Sequence, residues 1–246
     1  MTYKAEYERW LNSPALTQEQ RAELEAIKDN ETEIKERFFA PLEFGTAGLR
    51  GIMGMGLRRM NIYIIRQATR ALGELILKSG EEKSAVVCFD CRINSAAYAK
   101  EAACVLAACG IRVYLFDELR PTPELSFAIR ELGATSGINI TASHNPKEYN
   151  GYKVYWSDGA QLPPEHAAQV AAAMEAIDPL SNIPSLDYNE AVSKGLIELI
   201  GSKIDEKFLE NVMAQSVRPG AAAKADIKIV YTPFNGAGAK LVPEAL

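Results

Sequence analysis

Short apolar runs rich in β-branched residues alternate with helix-length patterns through the middle of this chain, and that alternation restricts the folds open to it. "SAVVCFD" (84–90) reads as a buried strand, "SAAYAKEAACVLAACG" (95–110) as a helix stopped at Gly110, and "IRVYLFD" (111–117) as a second strand. Strand, helix and strand in this order form a βαβ unit. After a loop at "LRPTPE" come helix-like "LSFAIRELG" and strand-like "SGINIT". The Asn150–Gly151 pair then separates that run from "YKVYWSDG" in the manner of a hairpin turn. The expected fold is α/β, with a mixed, mainly parallel sheet flanked by helices.

The flanking segments extend this reading. "TQEQRAELEAIKD" carries Thr17 before a polar run with Gln20 three residues on, a capping-box pattern, and "ETEIKERFF" follows, so residues 1–40 read as a helical extension. In "IYIIRQATRALGELILK" the residues Ile64, Ile65, Ala68, Leu72, Leu75 and Ile76 recur at helical spacing before a stop at Gly80. "PPEHAAQVAAAMEAI" reads as a helix opened by prolines, with His166 at its surface, and "DPLSNIPSLDYNE" as a surface passage. From Gly201, helical "IDEKFLENVMAQSV", the loop "RPGAAAKAD", strand-like "IKIVYTPF" and "NGAGAKLVPEAL" read as the incomplete start of a second, similar domain. The first domain then spans 41–200.

Composition narrows the function classes. The 246 residues carry a formal charge of -5 and no dense Lys/Arg run, which gives no long-range attraction for nucleic acid or an anionic membrane. The start, MTYKAEYERWLNS, has charges where a signal peptide needs an apolar stretch, so a cytoplasmic protein is expected. The C-x-x-C at Cys88 and Cys91 falls at a strand end, where residues three apart point to opposite faces. Cys104 and Cys109 diverge by about 140° around a helix. Neither pair forms a metal or disulfide site, and small buried apolar roles are expected.

Two stretches carry candidate chemistry. In "FGTAGLRG" (44–51) three glycines let backbone approach a ligand, and Arg50 between the last two offers a planar fork suited to phosphate. It matches neither common nucleotide-binding glycine signature, and "NGAGAK" lacks the Lys-Ser/Thr pair of a nucleotide loop. In "TASHNP" (141–146) Ser143 sits past a strand end beside His144. Adjacent loop residues usually diverge, no G-x-S-x-G elbow is present, and taken alone the segment reads as a solvated turn. Lys153, on the strand face opposite Tyr152 and Val154, reads alone as a solvated lysine.

Together, FGTAGLRG, TASHNP and NGYKVY (150–155) resemble the α-D-phosphohexomutases, the family of phosphoglucomutases and phosphomannomutases. The resemblance covers nearly all of 41–246. "FDCRINS" is similar to the family's G-x-D-x-R segment, "DGAQLPP" to its following turn, and "IVYTPFNGAG" to the start of its second domain. The extension and "GLRRMNIYIIRQAT" look most like the longer bacterial phosphoglucomutase branch, which includes enzymes acting on phosphopentoses. The resemblance implies that Ser143 carries the transferred phosphoryl group, with Arg50, His144 and Lys153 around it and Thr46 and Asn145 at the substrate. It further implies Mg²⁺ bound through the phosphate on Ser143, and glucose 1,6-bisphosphate as activator and intermediate.

Each implied role has a physical counterpart. Arg50 and Lys153 offset the charge of a phosphoserine, and Lys153 can exchange a proton with a sugar hydroxyl. Asp90 and Arg92 are expected to form a structural salt bridge or to orient the site from the neighbouring strand end. The family's metal loop Asp-Gly-Asp-Gly-Asp-Arg, its sugar loop and its substrate-phosphate loop do not occur in this sequence, and Asn235 stands where many members have histidine. The expected function is thus the N-terminal part of a phosphoglucomutase-type enzyme interconverting glucose 1-phosphate and glucose 6-phosphate, inactive alone. Phosphomannomutase or phosphopentomutase specificity, and a non-catalytic sugar-phosphate-binding module, are the rivals.

Overall fold

The computed structural model describes residues 2–79, 82–218, 220–225 and 227–246. Three short helices come first, α1 (Tyr3–Leu11), α2 (Gln18–Glu25) and α3 (Glu31–Phe38). The capping box holds at α2, where the Thr17 hydroxyl accepts from the Gln20 amide and the Gln20 side chain accepts from the Thr17 amide. Then follow β1 (Leu49–Ile52), α4 (Ile62–Lys78), β2 (Ser84–Phe89), α5 (Ser95–Ala108), β3 (Arg112–Phe116), α6 (Thr122–Glu131), β4 (Ser136–Ile140) and β5 (Tyr149–Trp156). The chain continues through α7 (Pro164–Ala176), α8 (Tyr188–Ser193), β6 (Ile197–Ile200), α9 (Ser202–Ala214), α10 (Ala221–Lys224) and α11 (Leu241–Ala245). The expected stop at Gly80 lies outside the described residues, and α4 closes on Ser79.

One six-stranded sheet runs in the order β1-β5-β4-β2-β3-β6. β4, β2, β3 and β6 are parallel, while β5 and β1 are antiparallel to their neighbours. This is the mixed, mainly parallel α/β sheet expected. Ala85, Val87, Val113, Leu115, Ile138, Ile140, Tyr152 and Val154 face α4, α5 and α7. Val86, Cys88, Tyr114, Phe116 and Tyr155 face α6 and Ile204 of α9. Strands buried on both faces need helices on both, which explains the near-continuous apolar runs. The N-terminal helices form a separate cluster in which Trp10 meets Phe38 and Tyr63 edge-on, at 5.9 Å and 5.8 Å.

Four expectations are corrected. Asn150 and Gly151 are not a turn: both lie inside β5, opposite Gly51 and Arg50, and the connection from β4 is the segment 141–148. The glycine answers a close approach, since a Cβ at Gly151 would meet the Thr141 carbonyl oxygen at 2.6 Å. "IKIVYTPF" forms no strand among its described residues. Ile227, Ile229 and Val230 are exposed there, because no neighbouring edge supplies ladder partners. The loop expected at "RPGAAAKAD" holds the single turn α10, with Pro219 and Asp226 outside the described residues. His166 is half-buried, its ring 4.6 Å from that of Trp156. The sheet also contains two strands that the sequence did not announce, β1 and the edge strand β6.

Residues from 201 are tied to the preceding body through α9, whose Ile204 packs on the sheet, and through several polar contacts. Phe208 of α9 meets Phe127 of α6 edge-on at 5.6 Å, and Asp205 accepts two hydrogen bonds from the buried Arg120 guanidinium, at 2.7 Å and 2.9 Å. Lys240 reaches the same Asp205 at 3.0 Å. Among the described residues, no helix is long and apolar enough to cross a membrane.

Candidate active site

The chain order places a crevice at the carboxyl ends of β2 and β4. β2 leads through α5 to β3 on one side, whereas β4 lies on the other side of β2 and leads to β5, so the connections part there. α5 and α6 cover opposite faces, leaving the strand ends open between them. Above this opening runs the loop 141–148.

Ser143 is exposed at the loop's crest with φ of 59°, one of the few non-glycine residues in the left-handed region. The Thr141 hydroxyl sustains that conformation by accepting from the Ser143 amide at 3.0 Å, and the Asn145 amide donates to the Ala142 carbonyl at 3.1 Å. The consequence contradicts the expectation of divergence: the tight crest brings Ser143 Oγ to 3.3 Å from His144 Nδ1.

Arg92 holds the loop from below. Its guanidinium donates to the carbonyls of Ser143 and Asn145, both at 2.7 Å, and of Pro146 and Tyr149, at 2.9 Å and 3.2 Å. Its Nε lies 3.2 Å from Asp90 Oδ2, so the expected Asp90–Arg92 pair is present. Asp90 Oδ1 accepts from the Arg92 amide and the Ser95 hydroxyl, and Ser95 in turn accepts from Asn150, which is fully buried and also donates to the Ile93 carbonyl. Sequence reasoning placed Arg92 as a partner of Asp90 or a residue orienting the site from the strand end, and Asn150 only as a turn residue. A clasp on four main-chain carbonyls leaves no trace in spacing.

Arg50 approaches from the other side. The turn Gly45–Gly48 closes through two main-chain hydrogen bonds, and Gly48, with φ of 76°, packs so closely that a Cβ would sit 1.9 Å from the Tyr152 carbonyl oxygen. The turn aligns β1 on β5, and alternation from buried Leu49 sets Arg50 on the α6 face. There its Nη1 donates to Asn145 Oδ1 at 2.9 Å, leaving most of the exposed guanidinium free. Thr46 is exposed at the turn's tip and makes no side-chain hydrogen bond among the described residues. Lys153 shares the face of Arg50, half-buried on β5. Burial and then the Arg50 charge hold its ammonium below the usual lysine value, while Asp90 pulls the other way.

The structure therefore gathers Arg50, Ser143, His144 and Asn145, sets Lys153 on the same face, and leaves Thr46 at the rim. An exposed hydroxyl beside a free guanidinium and a lysine of lowered basicity can receive and release an anionic group. Divalent cation binding is another matter. Both Asp90 oxygens are engaged, and among the described residues no group of three His, Cys, Asp or Glu side chains is arranged to hold a metal ion. The residues present do not fit a Mg²⁺ site on their own. The cysteines are free: Cys88 is buried, its thiol pushed up by burial, and Cys91 is exposed.

Comparison with known proteins finds relatives of this sequence and fold. The family described as "Phosphoglucomutase/phosphomannomutase, alpha/beta/alpha domain I" matches residues 41–181. A phosphoglucomutase of Staphylococcus saprophyticus is 37% identical over 225 residues, covering 89% of this chain and 40% of its own length. One from Staphylococcus epidermidis is 38% identical over 216 residues, covering 87% and 38%. The chain thus spans about two fifths of the length of these relatives. A solved structure from Thermus thermophilus, assigned as a phosphomannomutase, superposes with a TM-score of 0.61 at 30% identity, covering 71% of this chain and 36% of the other.

Proposed function

Because the chain belongs to the phosphoglucomutase/phosphomannomutase family, we propose that it carries the phosphoserine side of a phosphohexomutase site, with glucose 1-phosphate and glucose 6-phosphate as the substrate pair. The observation that carries this reading is Ser143, exposed in a left-handed crest clasped by Arg92, with Arg50 anchored beside it on Asn145.

In the proposed step a phosphoryl group on Ser143 Oγ passes to a sugar hydroxyl. The Oγ–P bond breaks, a P–O bond to the sugar forms, and the hydroxyl proton, taken up by Lys153 in its amine form, ends on the released Ser143 Oγ. The product is glucose 1,6-bisphosphate, which reorients and returns its other phosphoryl group to Ser143. Arg50 offsets the charge on the moving group, Asn145 fixes the Arg50 fork, His144 holds the Ser143 oxygen between transfers, and Thr46 borders the substrate. Mg²⁺ is the ion this chemistry calls for; Ser143, once phosphorylated, is the ligand this chain offers it, and the described residues hold no other group of ligands for it.

The incomplete ligand set favours one rival, a module that binds a sugar phosphate without transfer. Peptide mapping of the protein isolated from its own cells separates the two. A phosphoryl group at Ser143, and its absence from Ser143→Ala, are the expected results. Unmodified Ser143 overturns the proposal. Mannose and pentose phosphates as alternative acceptors are ranked by single-turnover discharge of phosphorylated Ser143.

A further inference from the structure

Asn139 lies four residues before Ser143 on β4, and its side chain is placed on the α6 face between two neighbours in register, Cys88 on β2 and Lys153 on β5. It is 1% exposed. Its amide nitrogen donates to the Thr122 hydroxyl at 2.8 Å, in the first turn of α6. Its carbonyl oxygen Oδ1 is buried and accepts nothing. A buried acceptor left bare costs about 1–3 kcal/mol, so a polar carboxamide at this apolar position calls for a donor.

The neighbours leave one. The Cys88 thiol donates to the Arg120 carbonyl at 3.4 Å, and the Thr122 hydroxyl is already in contact with the amide nitrogen. The Lys153 ammonium makes no hydrogen bond among the described residues, and residues directly opposite on antiparallel strands place their Cβ atoms about 4.5–5.5 Å apart, within the sweep of a lysine stem.

We propose that Asn139 is a positioning residue for Lys153: its free carboxamide oxygen receives the lysine ammonium when no anion is seated at Ser143, and Thr122 fixes the carboxamide for that purpose. The lysine then has two stations on one face, Asn139 at rest and the anion site when loaded. This rests on the reading of Lys153 as the proton-exchanging group. Ionisable groups facing this side from the surrounding elements include Arg50 on β1, Cys88 and Asp90 at the end of β2, Tyr155 on β5, Arg120 before α6, Glu124 in α6 and His144 in the loop. The variants below alter none of these.

The test is trace acetylation with acetic anhydride from pH 6 to 11, with the extent at Lys153 read by peptide mass mapping in the wild type, Asn139→Leu and Asn139→Asp. A carboxylate at this distance raises the labelling midpoint by about 1 pH unit or more, whereas the apolar variant lowers it. A merely structural role moves both in one direction or neither. Midpoints that coincide in three folded proteins, or that move together, overturn the proposal; circular dichroism establishes that each is folded. If Asn139→Leu does not fold, Asn139→Asp against the wild type decides alone, an unmoved midpoint overturning it. Failure of the mutase reading shows separately, as unmodified Ser143 in native protein.

Discussion

Arg50 and Arg92 both touch the Ser143 loop, and their environments assign them different work. Arg92 is largely buried and bonded to four carbonyls, so Arg92→Ala strips charged donors from main-chain acceptors and costs roughly 2 kcal/mol. Arg92→Lys does not restore it, because an ammonium lacks the fork that spans four oxygens. Arg50 is exposed with one partner, so Arg50→Ala costs under about 1 kcal/mol of stability while lowering phosphoryl transfer by about 100-fold or more. Urea unfolding beside single-turnover transfer checks both; equal losses of stability and activity in Arg50→Ala would make it a structural residue. The sequence showed that Arg50 sits among glycines and that Ser143 follows a strand. It did not show that Ser143 takes a positive φ, because that depends on the Thr141 hydroxyl and Arg92 acting together across the loop.

At the scale of elements, α6, α9 and the loop after β3 meet around a buried charge cluster that makes stability depend on pH. Arg120 gives its fork to Asp205, and Glu124 lies 3.8 Å from Arg120 Nε, too far for a hydrogen bond. Burial, reinforced by the neighbouring Asp205, pushes the Glu124 carboxyl up to about 8, against the pull of Arg120. The neutral form prevails, since both buried Glu124 oxygens lack a hydrogen-bond partner. Asp205 is held well below the usual carboxylate range despite its burial, chiefly by the Arg120 fork, with Glu124 and Lys240 beside it. A raised acid binds its proton in the folded state, so its contribution is full below about pH 4.5 and is lost as pH rises through about 8. Asp205 contributes in the opposite sense and is lost only in strong acid. Melting temperature should therefore fall between pH 5 and 9, and Glu124→Gln, which cannot ionise, should flatten that fall; an unchanged slope would refute the assignment. The βαβ unit was legible because strand and helix differ in period and length. β6 and the true setting of Asn150–Gly151 were not: four residues carry too little pattern, and a buried Asn-Gly pair looks like a turn until the strands on both sides are known.

For the whole molecule, the issue is whether residues 1–246 suffice for folding and whether they suffice for catalysis, and physical grounds separate the two. Helices cover both faces of the sheet, the N-terminal helices pack on Tyr63 and Met55, and Asp205 and Phe208 fasten α9 to the same body. These residues should fold cooperatively on their own. Catalysis asks for more, because phosphoryl transfer depends on holding a cation and a second phosphate as well as the serine. The Ser143 side can offer a cation one phosphate group, Asp90 is committed to Arg92 and Ser95, and a hard divalent ion takes about six oxygens. The prediction is that purified residues 1–246, given glucose 1-phosphate, Mg²⁺ and glucose 1,6-bisphosphate in a coupled assay, show one cooperative unfolding transition but no sustained turnover above a Ser143→Ala control, and calorimetry detects no tight Mg²⁺ binding. Turnover above that control, or tight Mg²⁺ binding, would mean that this chain assembles the whole site from residues assigned here to the fold.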